Sequence, residues 1–151
     1  MLTDVIIVTN DILFFSEFTE NSCGNHNYIH KKTIEKASEY CTNIEQGVIV
    51  IDIERVEPQE LNYISYLHKR FPGLSIIIIS PLSMVDDANR AIESGATLYL
   101  TKPVNCNAVQ QTIERELKES SKKLEIKNDC RFFKRLIPHL HQMMFQSLFQ
   151  F

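Results

Sequence analysis

The run Val48-Ile49-Val50-Ile51-Asp52 sets four aliphatic residues directly before a single carboxylate. A continuous Val/Ile run without polar alternation is typical of a strand that is buried on both faces of a parallel sheet. Comparable runs occur at Val5 to Val8, Leu74 to Ile79 and Thr97 to Thr101. Ligands of such open sheets lie outside the carboxyl ends of the strands, so the residues that follow each run are the candidate site residues.

Amphipathic segments with helical spacing alternate with these runs. They extend from Asp11 to Glu20, Thr33 to Thr42, Pro58 to Arg70, Met84 to Ser94 and Asn105 to about Lys127. A weaker strand candidate, Tyr28-Ile29-His30, lies between the first two segments and suits a sheet edge. The pattern therefore predicts five βα units. Right-handed crossovers wind them into a flavodoxin-like α/β fold, a five-stranded parallel sheet of order 2-1-3-4-5 with helices on both faces.

Composition indicates one globular module of 151 residues. Its formal net charge of −3 gives no electrostatic reason to bind nucleic acid or an anionic membrane. The cysteines are widely spaced, without a C-x-x-C pair, and predict reduced thiols in a cytoplasmic protein. They are Cys23, Cys41, Cys106 and Cys130. We expect no signal peptide at the N-terminus and no membrane span, because no apolar run approaches about 20 residues.

The strand ends carry three different chemical groups. Asp52 supplies a carboxylate, Ser80 a hydroxyl and Lys102 an ammonium. Because the carboxyl ends of parallel strands meet at one edge of the sheet, these three groups are expected to lie at a common edge. The first strand ends in Thr9-Asn10-Asp11 at the same edge. The sequence shows no glycine-rich phosphate loop and no nucleophile elbow there. We predict that the protein is not an enzyme.

The segment Gly95-Ala96-Thr97-Leu98-Tyr99-Leu100-Thr101-Lys102-Pro103, together with Val50-Ile51-Asp52 and Ile76-Ile77-Ile78-Ile79-Ser80, resembles the receiver domain of two-component response regulators. The resemblance covers about residues 4 to 120. It implies a signalling module whose partner is a histidine kinase or a transcription regulator.

The resemblance also implies a role for each matching position. Asp52 matches the aspartate that accepts a phosphoryl group, and Lys102 matches the ammonium that pairs with that aspartate or its phosphate. Ser80 matches the hydroxyl that moves toward the phosphoryl group on activation. Tyr99 matches the aromatic residue that swings inward behind this hydroxyl.

The sequence departs from the family at the end of its first strand. Thr9 and Asn10 stand where the family has two adjacent acids that hold Mg²⁺ with the phosphorylated aspartate. Asp11 is a doubtful substitute, because a shift of one residue turns its side chain to the other side. We therefore expect no metal, or a weak Mg²⁺ site at best, and no other cofactor. Pro81 after Ser80 is a second departure, since proline restrains the loop that transmits the signal.

Residues 1–127 are predicted to form the receiver-like domain and residues 128–151 an amphipathic helical C-terminal tail. Large apolar residues recur every three or four positions in this tail, and we interpret them as an association surface that favours a homodimer. They are Phe133, Leu136, Leu140, Met143, Met144 and Leu148. Packing on its own domain, docking on another protein and lying on a membrane surface are the alternatives for the tail.

Three functions remain open. The first is an atypical receiver, or pseudo-receiver, that acts as a phosphorylation-independent interaction module in bacterial two-component or transcriptional regulation. The second is a single-domain response regulator that accepts a phosphoryl group on Asp52. The third is a divergent DNA-binding regulator without a complete output domain. Metal ligation by Cys23, His26 and His30, or by His139 and His141, lacks the four partners of a structural zinc site.

Overall fold

In a computed structural model of the chain, the structure describes residues 3–22, 25–81 and 84–123, together with residues 125, 135 and 138. Nine elements alternate along it: β1 (Thr3–Val8), α1 (Ile12–Glu20), β2 (His26–Lys31), α2 (Ile34–Cys41), β3 (Gly47–Asp52), α3 (Pro58–Arg70), β4 (Leu74–Pro81), α4 (Val85–Glu93) and β5 (Leu98–Lys102). Residues 106–123 are helical and are called α5. The predicted apolar residues of the tail lie outside the described residues.

The five strands form one parallel sheet of order β2-β1-β3-β4-β5, as the sequence predicts. β3 lies in the middle, between β1 and β4, so Asp52 at its end is central to the carboxyl edge. The register pairs Val8 with Ile51, Asp52 with Ile79, and Pro81 with Lys102. The ends of β1, β3 and β5 therefore converge on the same place.

Alternation along the strands divides the core between the two faces of the sheet. One cluster packs the even positions of β1 and β4, including Ile6 and Ile78, against α2, α3 and α4. The other packs Ile7, Val50 and Ile79 against α1 and α5. The β3 and β4 residues of both clusters are buried because helices cover both faces of the sheet. This explains why the sequences of β3 and β4 are unbroken apolar runs.

The helices begin at residues that the sequence marks. Asp11 caps α1, Thr33 caps α2 through a side-chain bond to Lys36 N, and Pro58 occupies the first turn of α3. Gly95 turns the chain from α4 toward β5 with φ of 122°, and a Cβ there would lie 2.5 Å from the His68 side chain. Only glycine fits this turn without strain.

The second strand differs most from its prediction. β2 extends over His26–Lys31, twice the length of the expected Tyr28-Ile29-His30, and pairs with β1 along its whole length. Every residue of β2 is at least partly exposed, because β2 is the edge strand. A half-buried strand lacks the continuous apolar run on which the sequence prediction relies, so the prediction of β2 is too short. Within the described part of the chain, no helix is long and apolar enough to cross a membrane.

Candidate functional site

Three side chains meet at the carboxyl edge on the α1 and α5 side of the sheet. Thr9, Asp52 and Lys102 each stand two residues beyond an apolar residue of the core on that side, so strand alternation turns all three the same way. The expected meeting of the Asp52 carboxylate and the Lys102 ammonium is present in the structure. The Thr9 hydroxyl joins them.

Both carboxylate oxygens of Asp52 are engaged by this chain. Thr9 Oγ1 donates a hydrogen bond of 2.9 Å to Asp52 Oδ2. Lys102 Nζ lies 2.5 Å from Asp52 Oδ1. Among the described residues, no donor makes an aligned hydrogen bond to Oδ1, so charge attraction holds this side of the carboxylate. The Asp52 side chain is 10% exposed and that of Lys102 is 30% exposed, which leaves the pair only partly screened by water.

The residues that follow Thr9 are turned to other uses. Asp11 Oδ1 accepts hydrogen bonds from Leu13 N and Phe14 N, at 2.9 and 3.2 Å, and so caps α1. Asp11 N donates to Thr9 Oγ1 at 3.0 Å, which orients the hydroxyl toward Asp52. Asn10 is exposed to solvent. The Asp11 carboxylate is thus engaged at the N-terminus of α1.

This arrangement fits Mg²⁺ poorly. The ion takes hard oxygen ligands, commonly one or two carboxylates with phosphate oxygens. Here the Asp52 carboxylate is paired with an ammonium and the Asp11 carboxylate caps a helix. Across residues 3–22, 25–81 and 84–123, no three His, Cys, Asp or Glu side chains gather to hold a metal ion.

The histidines proposed as weak metal ligands bind separate partners. His26 Nε2 lies 2.5 Å from Glu114 Oε1 of α5, and His30 Nε2 lies 2.9 Å from the Thr9 carbonyl oxygen. His30 thus ties the edge strand to the residue that holds Asp52. Cys23, His139 and His141 lie outside the described residues.

Ser80 and Tyr99 lie on the opposite side of the sheet from the Asp52 carboxylate. Ser80 stands two residues beyond Ile78, which belongs to the core cluster packed against α2, α3 and α4. Ser80 is 1% exposed. Among the described residues it makes no hydrogen bond to Asp52. The Tyr99 side chain is 37% exposed and faces outward. Pro81 is half-buried inside β4 and pairs with Lys102, and the Lys102–Pro103 peptide bond is cis.

Asp52 and Lys102 open onto a groove of about 1010 Å³ between α1 and the segment that joins β5 to α5. Phe14 and Glu17 line its α1 side, and Cys106 lines the other. Burial raises the pKa of the Cys106 thiol, and the neighbouring Glu17 carboxylate adds to the effect. Because this groove is open to solvent, a small partner can reach the edge of the Asp52 site through it.

A clamp between the loop after β3 and helix α4 was not predicted. The Asp87 carboxylate accepts a hydrogen bond of 3.2 Å from Val56 N, and Arg90 Nη2 donates one of 3.2 Å to Val56 O. Arg90 and Asp87 also pair with each other at 3.4 Å. Their spacing of three residues on a helix was the one available signal, and it does not reveal a backbone partner 31 residues away in the chain.

Comparison with known proteins concerns the fold. No family model matches the chain. A CheY-like response regulator receiver domain from Methanospirillum hungatei superposes with a TM-score of 0.68 at 20% identity, over 82% of this chain and 99% of that one. The signal receiver domain of a putative LuxO repressor from Vibrio parahaemolyticus superposes with a TM-score of 0.68 at 17% identity, over 83% and 98%. The chain has the receiver fold.

Two curated proteins share sequence with part of this chain. They are the transcriptional regulatory proteins GlrR of Escherichia coli K12 and QseF of Escherichia coli O157:H7, each 28% identical over 74 residues. The match covers 49% of this chain but only 17% of each relative. The similarity therefore concerns a small portion of much longer proteins.

Proposed function

We propose that the chain is an atypical receiver that works as a cytoplasmic signalling and protein-interaction module in bacterial two-component or transcriptional regulation, without phosphorylation and without enzymatic activity. The observation that carries this proposal is the occupation of both Asp52 oxygens, by the Thr9 hydroxyl and the Lys102 ammonium. A histidine kinase or a transcription regulator is the proposed class of partner.

The physical argument concerns charge. A carboxylate attacks a phosphoryl group only when positive charge neutralises the approaching oxygens. With Thr9 and Asn10 at the end of β1, Lys102 is the cation that contacts Asp52, and it is already paired with that carboxylate. Phosphorylation of either oxygen would have to displace one of these two contacts, the Lys102 ammonium at Oδ1 or the hydrogen bond from Thr9 at Oδ2. The site thus favours a fixed structure over a transfer reaction.

A phosphorylatable single-domain response regulator is the second candidate. The groove of about 1010 Å³ gives a small phosphoryl donor access to Asp52, and Lys102 and Ser80 keep the residue types that the family uses.

A divergent DNA-binding regulator is a third candidate, suggested by the names of the two curated relatives. Binding to duplex DNA that weakens as salt rises would support it, and no binding at low salt would exclude it.

Intact mass after incubation with an acyl-phosphate donor and Mg²⁺ tests the proposal. We expect no adduct of one phosphoryl group on the native chain. The variant Thr9→Asp with Asn10→Asp restores two acids and serves as the positive control, since it should gain the adduct. Asp52→Asn in that background should lose it. A stoichiometric adduct on the native chain that disappears in Asp52→Asn would overturn the proposal.

The tail is proposed as the association surface of a homodimer, through the six apolar residues from Phe133 to Leu148 named above. Burying one large apolar side chain is favourable by about 1.5 to 3 kcal/mol of free energy. A row of such side chains therefore favours contact with a protein surface. Sedimentation of the full chain over a range of concentrations measures the mass in solution. A monomer at all concentrations would remove the homodimer.

A further inference from the structure

An open groove runs between α2 and α3, and its lining differs in chemistry from that of the Asp52 edge. Its volume is about 550 Å³, and most of its lining surface is apolar. Tyr63 and Tyr66 of α3 form one wall, and Ser38 and Thr42 at the end of α2 form the other. Tyr66 is 47% exposed, a large apolar surface to leave in water. We call this the α2–α3 groove.

The rim of the α2–α3 groove is acidic. Glu39 lines the groove itself, and an adjoining depression that shares Tyr63 is lined by Glu35, Glu57 and Glu60. Among the described residues that line the two, there is no lysine or arginine. The surface therefore suits a segment that is both apolar and basic.

This chain carries such a segment at its C-terminus. Residues 130–151 contain Arg131, Lys134 and Arg135, no aspartate and no glutamate, and half of them are Phe, Leu, Ile or Met. Nearly all of the segment lies outside the described residues. Its charge is opposite to that of the rim, and its bulky side chains match the tyrosine wall.

The segment also starts in the right place. Gln46 Nε2 donates to Ser121 Oγ at 2.6 Å and to the Leu117 carbonyl at 3.2 Å, which fixes the last described turns of α5 beside the loop that follows α2. Thr42, at the end of the groove, precedes Gln46 by four residues, a span of at most roughly 14 Å of extended chain. The last described turn of α5, which precedes the C-terminal segment in the chain, therefore lies near one end of the groove.

We propose that residues 130–151 dock in the α2–α3 groove, with apolar side chains against Tyr63 and Tyr66 and basic side chains toward the glutamates. This inference rests on the association role proposed for the tail and names the surface that receives it. In the proposed homodimer the two copies exchange segments, so each groove holds the segment of the other copy.

Hydrogen exchange of the full chain, read from peptides of α2 and α3, tests the docking. Leu140→Asp changes only the tail, so it should raise exchange in α2 and α3 at least fivefold and leave β1 and β3 unchanged. Glu39→Lys should do the same, and combining it with Lys134→Glu and Arg135→Glu should restore protection. Leu13→Asp, which alters a 77% exposed apolar residue of α1, is the matched control and should change nothing in α2 or α3.

Sedimentation of the same variants, with Tyr66→Asp added, separates this inference from the homodimer. A dimer that Tyr66→Asp converts to a monomer supports docking by exchange. A native monomer whose α2 and α3 lose protection in Leu140→Asp supports docking within one chain and removes the homodimer. A dimer unchanged by Tyr66→Asp, with no effect of Leu140→Asp on α2 and α3, overturns the docking and keeps the homodimer. A monomer without tail-dependent protection overturns both.

Discussion

The end of β1 and the end of β5 meet at the same carboxylate but differ in what they bring to it. β5 ends in Lys102, the ammonium expected in a receiver, and it contacts Asp52 directly. β1 ends in Thr9, a hydroxyl where the resemblance implies an acid, and it also contacts Asp52 directly. The positive half of the site is kept and the negative half is replaced by a hydrogen-bond donor. In the proposed atypical receiver, two residues of the chain itself thus hold the central aspartate.

Removing the β5 contribution should have the largest effect. Lys102→Met leaves the Asp52 carboxylate, 10% exposed, without its cation. Breaking one side of a buried ion pair costs about 3 to 5 kcal/mol, and the 30% exposure of Lys102 reduces our expectation to about 2 to 3 kcal/mol of unfolding free energy. Urea unfolding measures it. Lys118→Met, at an exposed position of α5, is the control, and an equal loss there would show that the ion pair contributes nothing.

Removing the β1 contribution should cost somewhat less. Thr9→Val keeps the shape of a side chain that is 1% exposed but deletes the donor to Asp52 and the acceptor for Asp11 N. A hydrogen bond to a charged group contributes about 1.5 to 3 kcal/mol, so we expect a loss near the lower end in unfolding experiments. Thr9→Ser retains the hydroxyl and should lose less. If Thr9→Val costs the same after Asp52→Asn, the hydroxyl does not act through the carboxylate.

Asp11 separates a capping role from a metal role at the β1 end. Asp11→Ala should lower the unfolding free energy by about 1 kcal/mol, because α1 loses its N-cap. Asp11→Asn keeps an acceptor for Leu13 N and should lose only a small part of that. Thermal unfolding with and without Mg²⁺ measures both effects. A large stabilisation of the native chain by Mg²⁺ that is absent in Asp11→Ala would assign the carboxylate to a metal instead.

Alkaline pH should act at a position remote from the Asp52 edge. Burial raises the pKa of the Cys41 thiol from 9.0 to about 12. The unfolded chain releases this proton near the ordinary value, so stability is full below pH 9.0 and falls as pH rises toward 12. The loss reaches at most about 1.4 kcal/mol per pH unit. Unfolding free energies of native chain and Cys41→Ala should fall with different slopes above pH 9.0, and equal slopes would assign the loss to other groups.

The fold followed from the sequence because its signals are local. Unbroken Val/Ile runs marked β3 and β4, and Pro58 and Gly95 marked a helix start and a turn. Strand alternation was enough to bring Asp52 and Lys102 together. The edge strand β2 was underestimated, because a half-exposed strand lacks a continuous apolar run.

The parts of the site that escaped prediction depend on contacts between distant elements. The bond from Thr9 to Asp52 joins residues 43 apart, and it requires the register in which Val8 lies opposite Ile51. The hold of Asp87 on Val56 requires α4 to lie against the loop after β3. A local sequence pattern predicts neither the strand register nor the placement of a helix. Both contacts are therefore visible only in the folded structure.

Two consecutive hydrogen bonds at this edge are directed toward Asp52. The amide of Asp11 donates to the Thr9 hydroxyl, the hydroxyl donates to Asp52, and the Lys102 ammonium faces the other oxygen. Each donor in such a chain is polarised by the next, so the bonds strengthen one another. In the proposed atypical receiver, the Asp52 carboxylate therefore links the first turn of α1, through Thr9, to the end of β5.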